Sequence, residues 1–191
     1  GRLRLSTAYV DESKIAAAKA AAMEEEGAPP YVSTNDVLTS AFVRATRCRL
    51  CMMVMNFRGR LAAFTDKDAG NYEGPLLYHR SGASSPNDIR KSLLAGPPFS
   101  SGEEHIPGFF GTAFCTRLAS VTNWTSFFQG LDLGIEGSEQ VIHYPILKVN
   151  NVGINNLVIF RPRPGKIALW CMENVISETT IAEELMFGER L

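Results

Sequence analysis

The chain has 191 residues, 45% hydrophobic and 20% charged, which is ordinary globular usage and enough length to bury a sizeable core in one domain. Nineteen basic residues against twenty acidic ones leave a formal charge of −1, so no global field draws the chain to nucleic acid or anionic lipid. Apolar runs such as 51–55 and 157–160 fall far short of the roughly 18 residues a membrane span needs, and the chain reads as soluble.

It starts at Gly1 without a methionine, and its first ten residues have neither a signal nor a transit pattern. That is the reading expected of a trimmed or processed chain, and it leaves the compartment open, a processed organellar protein included. Leu3, Leu5, Ala8 and Val10 suggest an opening strand. Asp11 is placed to cap an Ala-rich helix over Ser13–Glu26, with Ile15, Ala18, Ala22 and Met23 on its apolar side and Gly27-Ala28-Pro29-Pro30 to stop it.

A second helix follows from Ser33 with Asp36 three places on, a capping box with Asp in place of Glu. Val37, Leu38, Ala41, Phe42 and Ala45 keep helical spacing to about Arg47. Cys51 to Phe57 lacks polar alternation until its end, which predicts a strand covered on both faces. Past Arg58-Gly59-Arg60 a loop is expected through Pro75, then a short strand to Tyr78. Ser85-Pro86-Asn87-Asp88 starts a third helix, which Gly96-Pro97-Pro98 ends.

Residues 97–112 are rich in Gly, Pro and Ser and are expected to form a mobile loop. Strands are predicted at Ala113–Val121, Asn156–Phe160 and Lys166–Met172, the last two a hairpin about Arg161–Gly165. A short turn or helix is expected over Ser126–Leu131, and Ser177 should cap a last helix to about Met186. The expected fold is an α/β two-layer sandwich, a mixed β-sheet with helices mainly on one face.

Cys48 and Cys51 form one C-x-x-C, while Cys115 and Cys171 are isolated. Zinc needs four converging ligands, so no metal is expected and buried thiols in a reducing compartment are the reading. His79, His105 and His143 start no His-x-x-x-Asp sequence, and no nucleophile elbow, phosphate-binding or dinucleotide-binding fingerprint occurs. Arg58-Gly59-Arg60 could hold an anion or pair with a carboxylate such as Asp132. Trp124 by itself is a packing residue.

Taken in order, these segments resemble a known set. Val32 to Ala41, Asn56-Phe57-Arg58-Gly59-Arg60-Leu61, Gly70-Asn71, Val121-Thr122-Asn123-Trp124 and Asp132-Leu133-Gly134 are similar to the carboxy-terminal half of BAHD-type acyltransferases. These share a superfamily with condensation domains and chloramphenicol acetyltransferase. The likeness runs from about residue 3 to 187. It implies two α/β halves with a tunnel between them for acyl-CoA and acceptor. A histidine in His-x-x-x-Asp takes the acceptor's proton, and a threonine of Thr-x-Trp helps hold the oxyanion.

By that resemblance Thr122 and Trp124 are oxyanion or tunnel residues, and Ser33, Asn35, Asp36, Arg58, Arg60, Asn71 and Asp132 are structural. The histidine motif is expected on an amino-terminal half that this sequence lacks. The family's Asp-Phe-Gly-Trp-Gly is here Asp132-Leu133-Gly134-Ile135-Glu136. Two readings stay open: a non-catalytic binding or structural subunit in a larger assembly, or the carboxy-terminal part of a complete acyl-CoA-dependent transferase. No bound cofactor is expected; acyl-CoA is a co-substrate only if the other half is present. A protein partner is expected on the inter-half face: the amino-terminal half, a second copy, or subunits of a larger complex.

Overall fold

The computed structural model describes residues 2–61, 65, 67–68, 73–96, 117–127, 134–145, 154–175 and 184–191. The expected loop at 97–112, Asn71, Cys115, His105, Asp132 and the expected cap at Ser177 lie outside the described residues. Strand β1 (Arg2–Val10) leads into helices α1 (Glu12–Glu24) and α2 (Thr34–Thr46), then strands β2 (Leu50–Asn56) and β3 (Glu73–His79). The short helix α3 (Arg80–Ala83) and helix α4 (Pro86–Ala95) precede β4 (Leu118–Asn123) and a 3-10 turn at Thr125–Phe127. Strands β5 (Ile154–Arg163), β6 (Lys166–Val175) and β7 (Phe187–Arg190) complete the order.

The strands form one seven-stranded mixed sheet in the order β3-β2-β4-β5-β6-β1-β7. Its centre, β2-β4-β5, is parallel, and the flanking pairs are antiparallel. One face carries the helices. Ile15 and Ala22 of α1, Val37, Leu38, Ala41 and Phe42 of α2 and Ile89 of α4 share a core with Cys51, Met53, Met55, Val121, Leu157 and Ile159. The α/β two-layer sandwich expected from the sequence is therefore the one observed.

Local chemistry sets the helix ends as the sequence predicts. The Asp11 carboxylate accepts from Ser13 N and Lys14 N, and the Ser33–Asp36 capping box is closed in both directions. Ser85 accepts from Asn87 N, with Pro86 in the first turn. Asn87 is buried; its amide donates to Ala22 O and to Glu25 Oε2, both at 2.8 Å, and so ties α4 to the end of α1. That satisfies one of the carbonyls a helix end leaves open.

Two expectations need correcting, and one strand is added to them. Strand β2 buries Cys51, Met53 and Met55 on the helix side, but Met52 and Val54 on the other side are only half-buried among the described residues. Among the described residues the unbroken apolar run is thus fully covered on one face only. Strand β5 continues through Arg161 and Pro162 to Arg163, so the hairpin turn is only Pro164-Gly165. The register shift between Phe160 and Arg163 accommodates Pro162, which has no N–H for a regular ladder. Beyond the expected last helix the chain adds β7, a strand paired with β1 that the sequence pattern did not predict. Only Glu184 is helical in the described part of the expected last helix, and Met186 turns the chain at φ 57°.

The second sheet face is divided. On the side of β5, β6 and β1, a cluster of Val158, Phe160, Ala168, Trp170 and Met172 is flanked by Trp124, Tyr9 and Leu191. The segment carrying Tyr144 lies against it: the Tyr144 ring meets Phe160 edge-on at 5.7 Å, and its hydroxyl is 2.7 Å from Thr7 Oγ1. His143 N donates to Pro162 O, which pins the segment to β5. On the β2-β4 side Met52, Val54, Ser120 and Thr122 remain half-open. Leu5, in register with Met172 on β1, is 58% exposed.

Candidate functional site

The carboxyl ends of the parallel strands β2 and β4 meet the start of α2. A cavity of about 570 Å³ opens there, lined among others by Tyr31, Ser33, Asn35, Arg58, Arg60 and Arg90. Crevices at the carboxyl ends of parallel strands are where α/β sheets commonly bind ligands. The structure thus gathers four of the residues singled out in the sequence, Ser33, Asn35, Arg58 and Arg60, around one opening.

The end of β4 serves both sides of the sheet because successive strand residues point to opposite faces. Thr122 lies in register with Val54 and Val158 on the half-open face. Asn123 turns to the helix side, where its amide donates to Asn35 Oδ1 at 3.1 Å. Its own carbonyl oxygen accepts from Thr125 N at 3.0 Å and Thr125 Oγ1 at 2.7 Å, which fixes the turn after the strand. Trp124 N donates to Ile159 O at 2.7 Å, holding the indole over the sheet. The indole N–H then donates to Thr122 Oγ1 at 3.0 Å. The half-buried hydroxyl thus accepts from the indole, which fixes its place beside Trp124.

Beneath the cavity lies a buried ion pair. Asp36 is 0% exposed, and its Oδ2 accepts from Arg90 Nε at 2.9 Å, with Arg90 Nη2 at 2.7 Å. The same guanidinium donates to Ser33 Oγ and to the Tyr31 hydroxyl, each at 2.9 Å, and sits 4.4 Å from the centre of the Tyr31 ring. Asp36 therefore caps α2 and anchors α4 at once.

Arg58 gives its Nε and Nη2 to Asp68 O at 3.2 and 3.1 Å. Asp68 in turn accepts from Thr65 N and Oγ1 at 2.6 and 2.7 Å. Those two bonds, the backbone one foremost, hold its carboxyl below the ordinary range, with the Arg58 charge helping. The pairing of Arg58 or Arg60 with Asp132 expected from the sequence lies outside the described residues.

The described cysteines are structural. Cys48, Cys51 and Cys171 are buried free thiols, and burial pushes all three up from the ordinary thiol range. His79 closes β3 opposite Leu50, at the far end of the sheet from Thr122. Sequence reasoning missed Arg90, Tyr31 and Asn123. Arg90 sits mid-helix on a polar stretch and looks solvated until the fold brings it to Asp36; Asn123 passes as a spacer in Thr-x-Trp.

No protein-family model matches the sequence, nor does any curated protein. Among solved structures, vinorine synthase superposes over 100% of this chain and 49% of its own, with a TM-score of 0.64 and 15% identity. TRI101 of F. sporotrichioides, complexed with coenzyme A and T-2, matches over 96% of this chain and 48% of its own at a TM-score of 0.64 and 11% identity. The fold is that of one half of a BAHD-type acyltransferase. Polyketide synthase associated protein 5 from Mycobacterium tuberculosis matches with a TM-score of 0.51 over 96% of this chain and 50% of its own. The chain spans about half the length of these acyltransferase-like structures, and at such identities the likeness is one of fold. No helix among the described residues is long and apolar enough to cross a membrane.

Proposed function

We propose that this acyltransferase half-fold is the oxyanion side of an acyl-CoA-dependent acyltransferase, active only against a second half that supplies the base. The observation that carries this reading is the Thr122 hydroxyl, oriented by the Trp124 indole on the half-open sheet face. In the reaction the acceptor's hydroxyl or amine attacks the thioester carbonyl. A C–O or C–N bond forms, the base on the other half takes the acceptor's proton, and Thr122 donates to the developing oxyanion. Collapse breaks the C–S bond, and the proton passes from the base to the departing thiolate. The polar cavity beside Asn35, Arg60 and Arg90 would take the hydrophilic part of coenzyme A, which is bound in the TRI101 complexes.

A second reading keeps the docking and drops the chemistry. The departure from Asp-Phe-Gly-Trp-Gly at Asp132-Leu133-Gly134-Ile135-Glu136 favours a non-catalytic subunit that uses the same face to bind a partner. The two are separated by expressing the coding sequence extended upstream of Gly1 and assaying acetyl-CoA cleavage with a panel of alcohols and amines. Turnover that falls about 10²–10³-fold in Thr122→Ala is the catalytic outcome. A folded, partner-bound protein without turnover is the structural one. Turnover by the 191-residue chain alone would overturn both.

A further inference from the structure

At the end of the sheet opposite Thr122 the structure concentrates positive charge. Strand-end pairing places it: Arg49 N donates to Arg117 O at 2.9 Å, and Arg80 N donates to Arg49 O at 3.0 Å. Three arginines therefore mark the ends of the neighbouring strands β3, β2 and β4, which lie roughly 5 Å apart from one to the next. Arg47, just past α2, joins them around a concavity of about 340 Å³ that also contains Ser81 and Ser84; Arg117 adjoins it. All four are exposed.

Two features set this cluster apart from solvated surface charge. The nearby Arg44 takes Glu184 at 3.9 Å, but none of the four has a carboxylate partner among the described residues. Like charges gathered this closely repel unless an anion joins them. Arg47 also holds φ 49° and ψ 34° at the helix end, a left-handed conformation that glycine adopts at no steric cost. A long cationic side chain stands where the backbone favours none.

The geometry points to an anion subsite here that takes a phosphate group, as a free phosphate ester or a lipid headgroup. Guanidinium forks match phosphate oxygens in pairs, and their fixed charge needs no protonation step. The Cys48 thiol beside them is buried and contributes no chemistry. The site lies at the other end of the sheet from the acyltransferase cavity and is independent of that reading.

The purified chain is titrated with inorganic pyrophosphate, and separately with phosphatidylcholine vesicles with and without phosphatidylinositol bisphosphate. Saturable pyrophosphate binding that weakens with added salt is expected. The doubly substituted Arg49→Glu, Arg117→Glu chain should lose it. Arg47→Gly guards against misfolding: it should raise Tm by relieving the left-handed residue while weakening binding roughly tenfold. Vesicle binding that requires the bisphosphate lipid and is displaced by pyrophosphate assigns a headgroup; pyrophosphate binding without it assigns a soluble ester. No saturable binding to either probe, or affinity unchanged in both variants, overturns the site.

Discussion

At the scale of single residues, the Asp36–Arg90 pair is where one atom matters most. Both groups are nearly closed off from water, so removing one leaves the other charged and unpartnered. Asp36→Ala is expected to lower unfolding free energy by about 3–5 kcal/mol in urea titrations. Adding Arg90→Leu should return part of that loss, because the orphaned charge is removed. Glu173 gives the opposite case. It is buried on β6 opposite Arg4, and burial raises its carboxyl above the ordinary value near 4.5, with Arg4 opposing the rise. In the window above 4.5 the folded chain keeps a proton that the unfolded chain has lost. Stability therefore falls as pH rises through that window, and the deficit persists above it. Glu173→Gln should raise Tm at pH 7, with the gain vanishing below about pH 4.

At the scale of elements, helix α2 was legible because its cap, its apolar spacing and its stop are all local. Ser33 does more than the sequence shows. Its Oγ accepts from Asp36 N at 3.2 Å and from Arg90 Nη2 at 2.9 Å. Ser33→Ala should therefore cost more than the usual ~1 kcal/mol of a lost cap, measurable as a lowered urea midpoint with unchanged slope. Strand β7 was not legible. Its four residues, Phe187-Gly188-Glu189-Arg190, have no strand pattern of their own, and they pair because β1 offers a free edge. Strand β4 runs two residues past the end at Val121 that its pattern predicts, since Thr122 and Asn123 read as loop polar groups until β2 and β5 pair with them.

At the scale of the whole molecule, the uneven covering of the sheet organises the rest. One face is sealed by helices; the other is sealed only on its β5-β6 side among the described residues. Under the proposed function the half-open part, with Val54 and Thr122, meets the second half. Val54→Asp should lower the unfolding free energy of the isolated chain by only about 1 kcal/mol, because the side chain is half-buried rather than in the core. In the extended protein it should abolish acyl transfer and expose the interface to limited proteolysis. Unaltered activity would show that the two halves meet elsewhere.

The sequence by itself determined what depends on neighbours along the chain: three capped helices, the apolar strands, and an ordered series of motifs resembling one acyltransferase half without a His-x-x-x-Asp sequence among them. Caps and periodicity act within a few residues, so they can be read without a fold. Only the tertiary structure decided which residues share a place. It put Arg90 on Asp36, sent Thr122 and Asn123 to opposite faces, and drew Arg47, Arg49, Arg80 and Arg117 together at one end of the sheet. The physical reason is sheet pairing across long separations: β2 meets β4, and β1 meets β6, through registers that no local window of sequence contains.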